Sequence, residues 1–70
     1  MYDGTITAVT PQGFDTKDSD GDRVVHIVIS KRTMLPDGAD FSIGEHIMAI
    51  GTMIATDTMQ AFGVRDIDAQ

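Results

Sequence analysis

The segment Phe14-Asp15-Thr16-Lys17-Asp18-Ser19-Asp20-Gly21-Asp22-Arg23-Val24-Val25-His26-Ile27-Val28-Ile29 alternates apolar and polar residues on both sides of an Asp20-Gly21 pair. Period-two alternation marks half-buried strands, and Asp-Gly is favoured in two-residue hairpin loops because both central residues take φ > 0. A hairpin with Asp20-Gly21 as its loop follows. It sets Lys17 opposite Val24, Thr16 opposite Val25, Asp15 opposite His26 and Phe14 opposite Ile27. Phe14, Thr16, Val25, Ile27 and Ile29 then share a core face, and Asp15, Lys17, Val24, His26 and Val28 share the outer one. A β-branched residue at Gly21 would carry a forced positive φ, at about 1 to 2 kcal/mol.

The rest of the chain also reads as β. Thr5-Ile6-Thr7-Ala8-Val9-Thr10 is β-branched and alternating, and Pro11-Gln12-Gly13 bends it into the hairpin's first strand. The hairpin's second strand runs from Asp22 to Ser30. Pro36-Asp37-Gly38 is a turn signature within the stretch from Lys31 to Asp40. In the connector Phe41-Ser42-Ile43-Gly44 the two apolar residues are expected to plug an open end of the sheet. A fourth strand spans His46 to Ile54, with Gly51 marking a bulge or tight bend. After Thr56-Asp57-Thr58 a fifth spans Met59 to Ile67, and Asp68-Ala69-Gln70 reads as a fraying tail.

Five strands in a chain of 70 residues, with a long connection between the third and fourth, predict an all-β, five-stranded OB-like Greek-key barrel with little or no helix. Gly4-Thr5-Ile6-Thr7-Ala8-Val9, the Gly21 hairpin before Val24-Val25-His26-Ile27-Val28, then Ile43-Gly44-Glu45-His46-Ile47-Met48-Ala49-Ile50-Gly51 and Gln60-Ala61-Phe62-Gly63-Val64 resemble small OB-like domains of uncharacterised function in bacterial envelope and secreted proteins. The resemblance covers nearly the whole chain and rests on glycines and core positions. It implies a fold and an envelope or secreted context, and it carries no catalytic residue. Met48 and Ile50 depart from its pattern, because polar residues are expected at the outward positions of the fourth strand.

A chain this short supports one domain whose core is marginal, and it has no cysteine for a disulfide. Closing the sheet or pairing with another chain must help. Eleven acidic against five basic residues leave a formal charge of -6, which repels phosphate backbones and anionic headgroups. The polar start Met1-Tyr2-Asp3-Gly4 is unlike a signal peptide, and no apolar run approaches the roughly 18 residues of a span. The chain reads as a cytosolic protein or as a domain excised from a longer one, with no insertion into a membrane.

Among the polar residues, Asp18, Asp20, Gly21 and Asp22 superficially suggest a calcium loop. Aligning Gly21 with that loop's glycine puts Thr16 first and Ile27 twelfth, where carboxylates are needed, so the motif fails. His26 and His46 are too few for a metal site without converging acids. Ser19, Ser30 and Ser42 have no recognisable nucleophile setting. The chain is thus read as non-enzymatic, with no metal and no cofactor. Asp15, Lys17 and His26 form a candidate polar outer face, in which the Asp15 carboxylate favours the charged imidazole. Arg23, Lys31 and Arg32 bracket the third strand as the one basic cluster.

Nucleic acid is the natural analogy for an OB fold, but such sites need stacked rings in a positive groove. With one tyrosine, three phenylalanines and no tryptophan, and with Phe14 assigned to the core, the outer face of the second and third strands lacks both. The fourth strand points elsewhere. If Ile47, Ala49 and Met53 face inward, then Met48, Ile50, Thr52 and Ile54 face outward, and Phe62 can join them from the fifth strand. Met48, Ile50 and Phe62 are therefore the candidate interface, suited to a protein partner or a weak homo-oligomer. A connector folded over the patch at Met34-Leu35-Pro36 is the competing arrangement.

Overall fold

The computed structural model describes residues 1–36 and 41–67; Asp37 and Gly38 of the expected turn, and the tail Asp68-Ala69-Gln70, lie outside the described residues. Five strands form: β1 (Tyr2–Thr10), β2 (Gly13–Asp18), β3 (Val24–Val28), β4 (His46–Ala55) and β5 (Thr58–Asp66). They close into a barrel in the order β1-β2-β3-β5-β4, the order of a five-stranded OB-like barrel. Antiparallel pairing joins β1 to β2, β2 to β3, β4 to β5 and β1 to β4. A short parallel seam joins β3 to β5, from His26 opposite Thr58 to Val28 opposite Gln60. No helix among the described residues is long and apolar enough to cross a membrane.

The inward positions follow the alternation. Ile6, Phe14, Val25, Ile27, Ile47, Ala49, Met59, Ala61 and Val64 form the buried cluster, with Ile29 and Phe41 packed against it. Phe41 meets Phe14 edge to face, with ring centroids 5.2 Å apart. Thr16 is the one buried polar residue among those described. Its hydroxyl donates to the Val25 carbonyl at 2.9 Å, so the Tyr2 hydroxyl, 2.8 Å away, is the donor to Thr16 Oγ1. Both of its hydrogen-bonding functions are thereby satisfied inside the barrel.

The hairpin register is as the alternation predicts, with Asp15 opposite His26 and Phe14 opposite Ile27. The turn is different. Neither Asp20 nor Gly21 has a positive φ; Asp18 N–H bonds Arg23 O at 2.9 Å, enclosing the four residues Ser19 to Asp22. Loops of two and of four residues centred on the same point impose the same pairing, which is why the register survives the change of turn. The wider loop is tied down locally. Asp20 N–H donates to Asp18 Oδ1 at 3.1 Å, and Ser19 N–H reaches the Asp3 carbonyl at 3.3 Å.

Glycine is indispensable elsewhere. Gly13 has φ +153, and a Cβ there would stand 2.0 Å from the Ile27 carbonyl oxygen. At Gly51 a Cβ would stand 2.1 Å from the Gln60 carbonyl oxygen, and the β4–β5 register shifts between Ile50 and Gly51, so the expected bulge is present. The bulge ends the alternation inherited from Ile47 and Ala49. Beyond it β4 leaves the core while Met59 of β5, opposite Met53, stays buried, and Met53, expected inside, is 44% exposed. Ile43 does not plug the barrel either: it is 68% exposed and Phe41 alone packs inward, because Gly44 N–H and Ile6 N–H tie the connector to β1 through Ile6 O and Glu45 O, at 2.8 and 2.9 Å.

Candidate functional site

The parallel seam is short, and its shortness shapes a surface cleft. Past Gln60 the edge of β5 is free of β3, and the connector takes over. Met34 N–H bonds Phe62 O at 2.8 Å, Val64 N–H bonds Met34 O at 3.0 Å, and Thr33 Oγ1 donates to Ala61 O at 2.9 Å. Met34, Leu35 and Pro36 are thus held as a wall beside β5. On the other flank Tyr2 pairs with Ala49, which brings Met1 alongside β4. Between the two walls lies a cleft of about 430 Å³, floored by Met48 and Ile50 of β4 and by Gly63 and Arg65 of β5.

Its lining is apolar apart from Arg65, which the β4–β5 register sets opposite Met48. Ile50 is 56% exposed and Met48 half-buried, so two of the three candidate interface residues share this cleft. Phe62 is 57% exposed but does not line it. The register shift across Ile50 and Gly51 leaves Phe62 unpaired between Gly63 and Ala61, and this displaces it from the row formed by Met48 and Ile50. The connector does fold beside the patch, and it deepens it into a cleft.

The polar outer face assembles as the register requires. His26 Nδ1 donates to Asp15 Oδ1 at 2.6 Å, and its Nε2 faces Asp57 Oδ2 at 3.8 Å. The hydrogen bond to Asp15 raises the His26 pKa above its ordinary value, partial loss of solvent opposes this, and the charges of Asp15 and Asp57 add to it. His26 N–H also bonds the Asp57 carbonyl at 2.7 Å, so this group clamps β3 to the β4–β5 turn. Lys17 pairs instead with Asp22, at 3.2 Å. Arg23 donates to the Thr56 carbonyl.

A second histidine group escapes sequence reasoning. Ser19 Oγ lies 2.8 Å from His46 Nε2 and donates to Asp3 Oδ1, which itself lies 3.1 Å from the same Nε2. The bond from Ser19, and next the contact with His46, hold the Asp3 carboxyl below the ordinary carboxylate range. Serine and aspartate share one ring nitrogen here, whereas nucleophile activation uses opposite nitrogens and leaves the serine proton directed at the imidazole. The trio reads as a clip joining the hairpin tip to β1 and β4. Only barrel closure brings Asp3 beside the start of β4, so no local signal could have revealed it.

Among the described residues no three histidine or acidic side chains gather as a metal-binding group. Comparison with known proteins finds no matching family model, and no curated protein or solved structure that matches the chain.

Proposed function

We propose that the chain is a non-enzymatic binding or assembly module that uses the outer face of β4 and β5. The observation that carries this reading is the apolar cleft between Met1 and the Met34-Leu35-Pro36 wall, floored by Met48 and Ile50. Side chains that gain nothing from water at such a site favour an apolar occupant, at about 25 cal/mol per Å² covered. Methionine on the floor and on both walls suits occupants of varied shape, since its unbranched side chain repacks easily. Phe62, exposed next to Gly63 of the floor, extends the apolar surface towards a protein partner or a second copy. The likeness to small OB-like domains of bacterial envelope and secreted proteins belongs to the same proposal.

A single-stranded nucleic-acid binder is the alternative. Its usual surface, the outer face of β2 and β3, here carries Asp15, Lys17, Val24, His26 and Val28 on a chain of net charge -6, which favours neither stacking nor phosphate contact.

The test uses the neutral, polarity-sensitive dye Nile red together with sedimentation over a concentration series, on the natural chain and on a Met48→Glu, Ile50→Lys double variant. Dye emission should shift to the blue with the natural chain and not with the variant. A natural chain whose mass rises with concentration, beside a monomeric variant, would identify assembly through this face. Equal dye response and equal monomeric masses would overturn the reading.

A further inference from the structure

We propose that the β4–β5 cleft selects an aliphatic chain ending in a carboxylate, with Arg65 as the group that recognises the anionic end; the inference rests on the cleft being a binding site. Scale is the first ground. A cleft of about 430 Å³ lies within the roughly 300 to 1,000 Å³ of small-molecule sites. Nine residues line it, against the roughly 20 to 30 a side of a standard protein interface. The opening therefore matches one slender apolar body better than a whole protein face.

Charge is the second ground. The molecule is acidic overall, so a free anion is repelled from most of its surface. Arg65 is the one charged side chain lining the cleft, and it makes no ion pair or hydrogen bond among the described residues. Across the strands Asp3 pairs with Met48 on the side away from Arg65. Asp3 is already engaged by Ser19 and His46. A planar guanidinium beside apolar walls supplies two parallel donors to a carboxylate and a flat face to the chain that carries it. A cationic head would meet repulsion at the same point, and an alcohol would forgo the charged contact.

The floor explains how the chain would lie. Gly63 leaves the space between Ile50 and Met34 unfilled: a Cβ there would stand 3.5 Å from Ile50 Cγ2 and 3.9 Å from Met34 Cβ. An aliphatic tail can run over Gly63 between these two residues while its carboxylate reaches Arg65 two positions on. A larger side chain at this glycine would occupy the tail's path.

The experiment follows the methionine methyl signals of the isotope-labelled full chain during titration with octanoate, octanol and octyltrimethylammonium below their micelle concentrations. Octanoate should move the Met1, Met34 and Met48 signals, leave Met53 and Met59 in place, and bind about three- to tenfold tighter than octanol. Arg65→Gln should equalise octanoate and octanol, Arg65→Lys should restore part of the preference, and Gly63→Leu should weaken both. Equal binding of octanoate and octanol by the natural chain, or a preference for the cation, would overturn the carboxylate assignment while leaving the cleft a binding site. Failure of all three probes to move the cleft methyls, with no dye response either, would overturn the binding reading and this inference together.

Discussion

Alanine at Gly13 should be severely destabilising, whereas alanine at Gly21 should be harmless or helpful. At Gly13 the new Cβ would stand 2.0 Å from the Ile27 carbonyl oxygen, and real Cβ contacts essentially never fall under 3.0 Å, so β2 and β3 must separate by about 1 Å there. Separation weakens the ladder at Gly13 and Val28 and the bond from Ile29 N–H to the Gln12 carbonyl, now 2.7 Å. One or two weakened hydrogen bonds account for about 0.5 to 1.5 kcal/mol each. Forcing φ +153 on a residue with a Cβ adds about 1 to 3 kcal/mol. The sum is roughly 1.5 to 6 kcal/mol, against about 3.5 to 10 kcal/mol of total stability for a chain of this length. Gly21 has no positive φ, and a Cβ there meets nothing within 4 Å. Restricting the unfolded chain should make Gly21→Ala neutral or more stable by up to about 1 kcal/mol. Urea unfolding followed by far-UV circular dichroism measures both variants against the natural chain. A Gly13→Ala protein within about 0.5 kcal/mol of the natural one, or a Gly21→Ala protein weakened by more than about 1 kcal/mol, would refute the reasoning.

Two further outcomes are expected. Thr16→Val keeps the buried shape but removes the donor to Val25 O and the acceptor of Tyr2, so it should lower stability by about 1 to 2 kcal/mol, a melting shift of roughly 4 to 16 °C; Tyr2→Phe should then do less in the Thr16→Val background than in the natural chain, and equal effects would show the two hydroxyls to be uncoupled. His26 has its folded pKa raised above 6.5, so its stabilising contribution is fully present below about pH 6.5 and is lost as pH rises through the folded value; urea midpoints of the natural chain and His26→Asn should converge from pH 6 to pH 8.5, and a gap that stays constant or widens would assign the clamp to something other than the charged ring.

Alternation of side chains was enough, with no tertiary information, to place Phe14, Thr16, Val25 and Ile27 inside, to set Asp15 opposite His26, and to point Ile50 outward. It suffices because a pleated strand half-buried in a core admits one register, and a slip of one residue would turn every apolar side chain to water. The bulge at Gly51 was legible for a related reason: a glycine inside an otherwise apolar strand marks close backbone approach. Turn geometry was not, since loops of two and four residues around Asp20-Gly21 satisfy the same pairing, and the choice depends on contacts from Ser19 to Asp3 and His46. The exposure of Met53 and Ile43 was also hidden, because where β4 leaves the barrel and how the connector is tethered to Ile6 depend on closure. The cleft belongs wholly to tertiary structure. Met1, Met34 and Met48 are far apart along the chain, and they become neighbours only because β1 pairs with β4 and Met34 continues the parallel seam where β3 stops. Local sequence specifies which face of each strand is apolar, but closure, governed by long-range pairing, decides which apolar faces stay uncovered and what stands beside them.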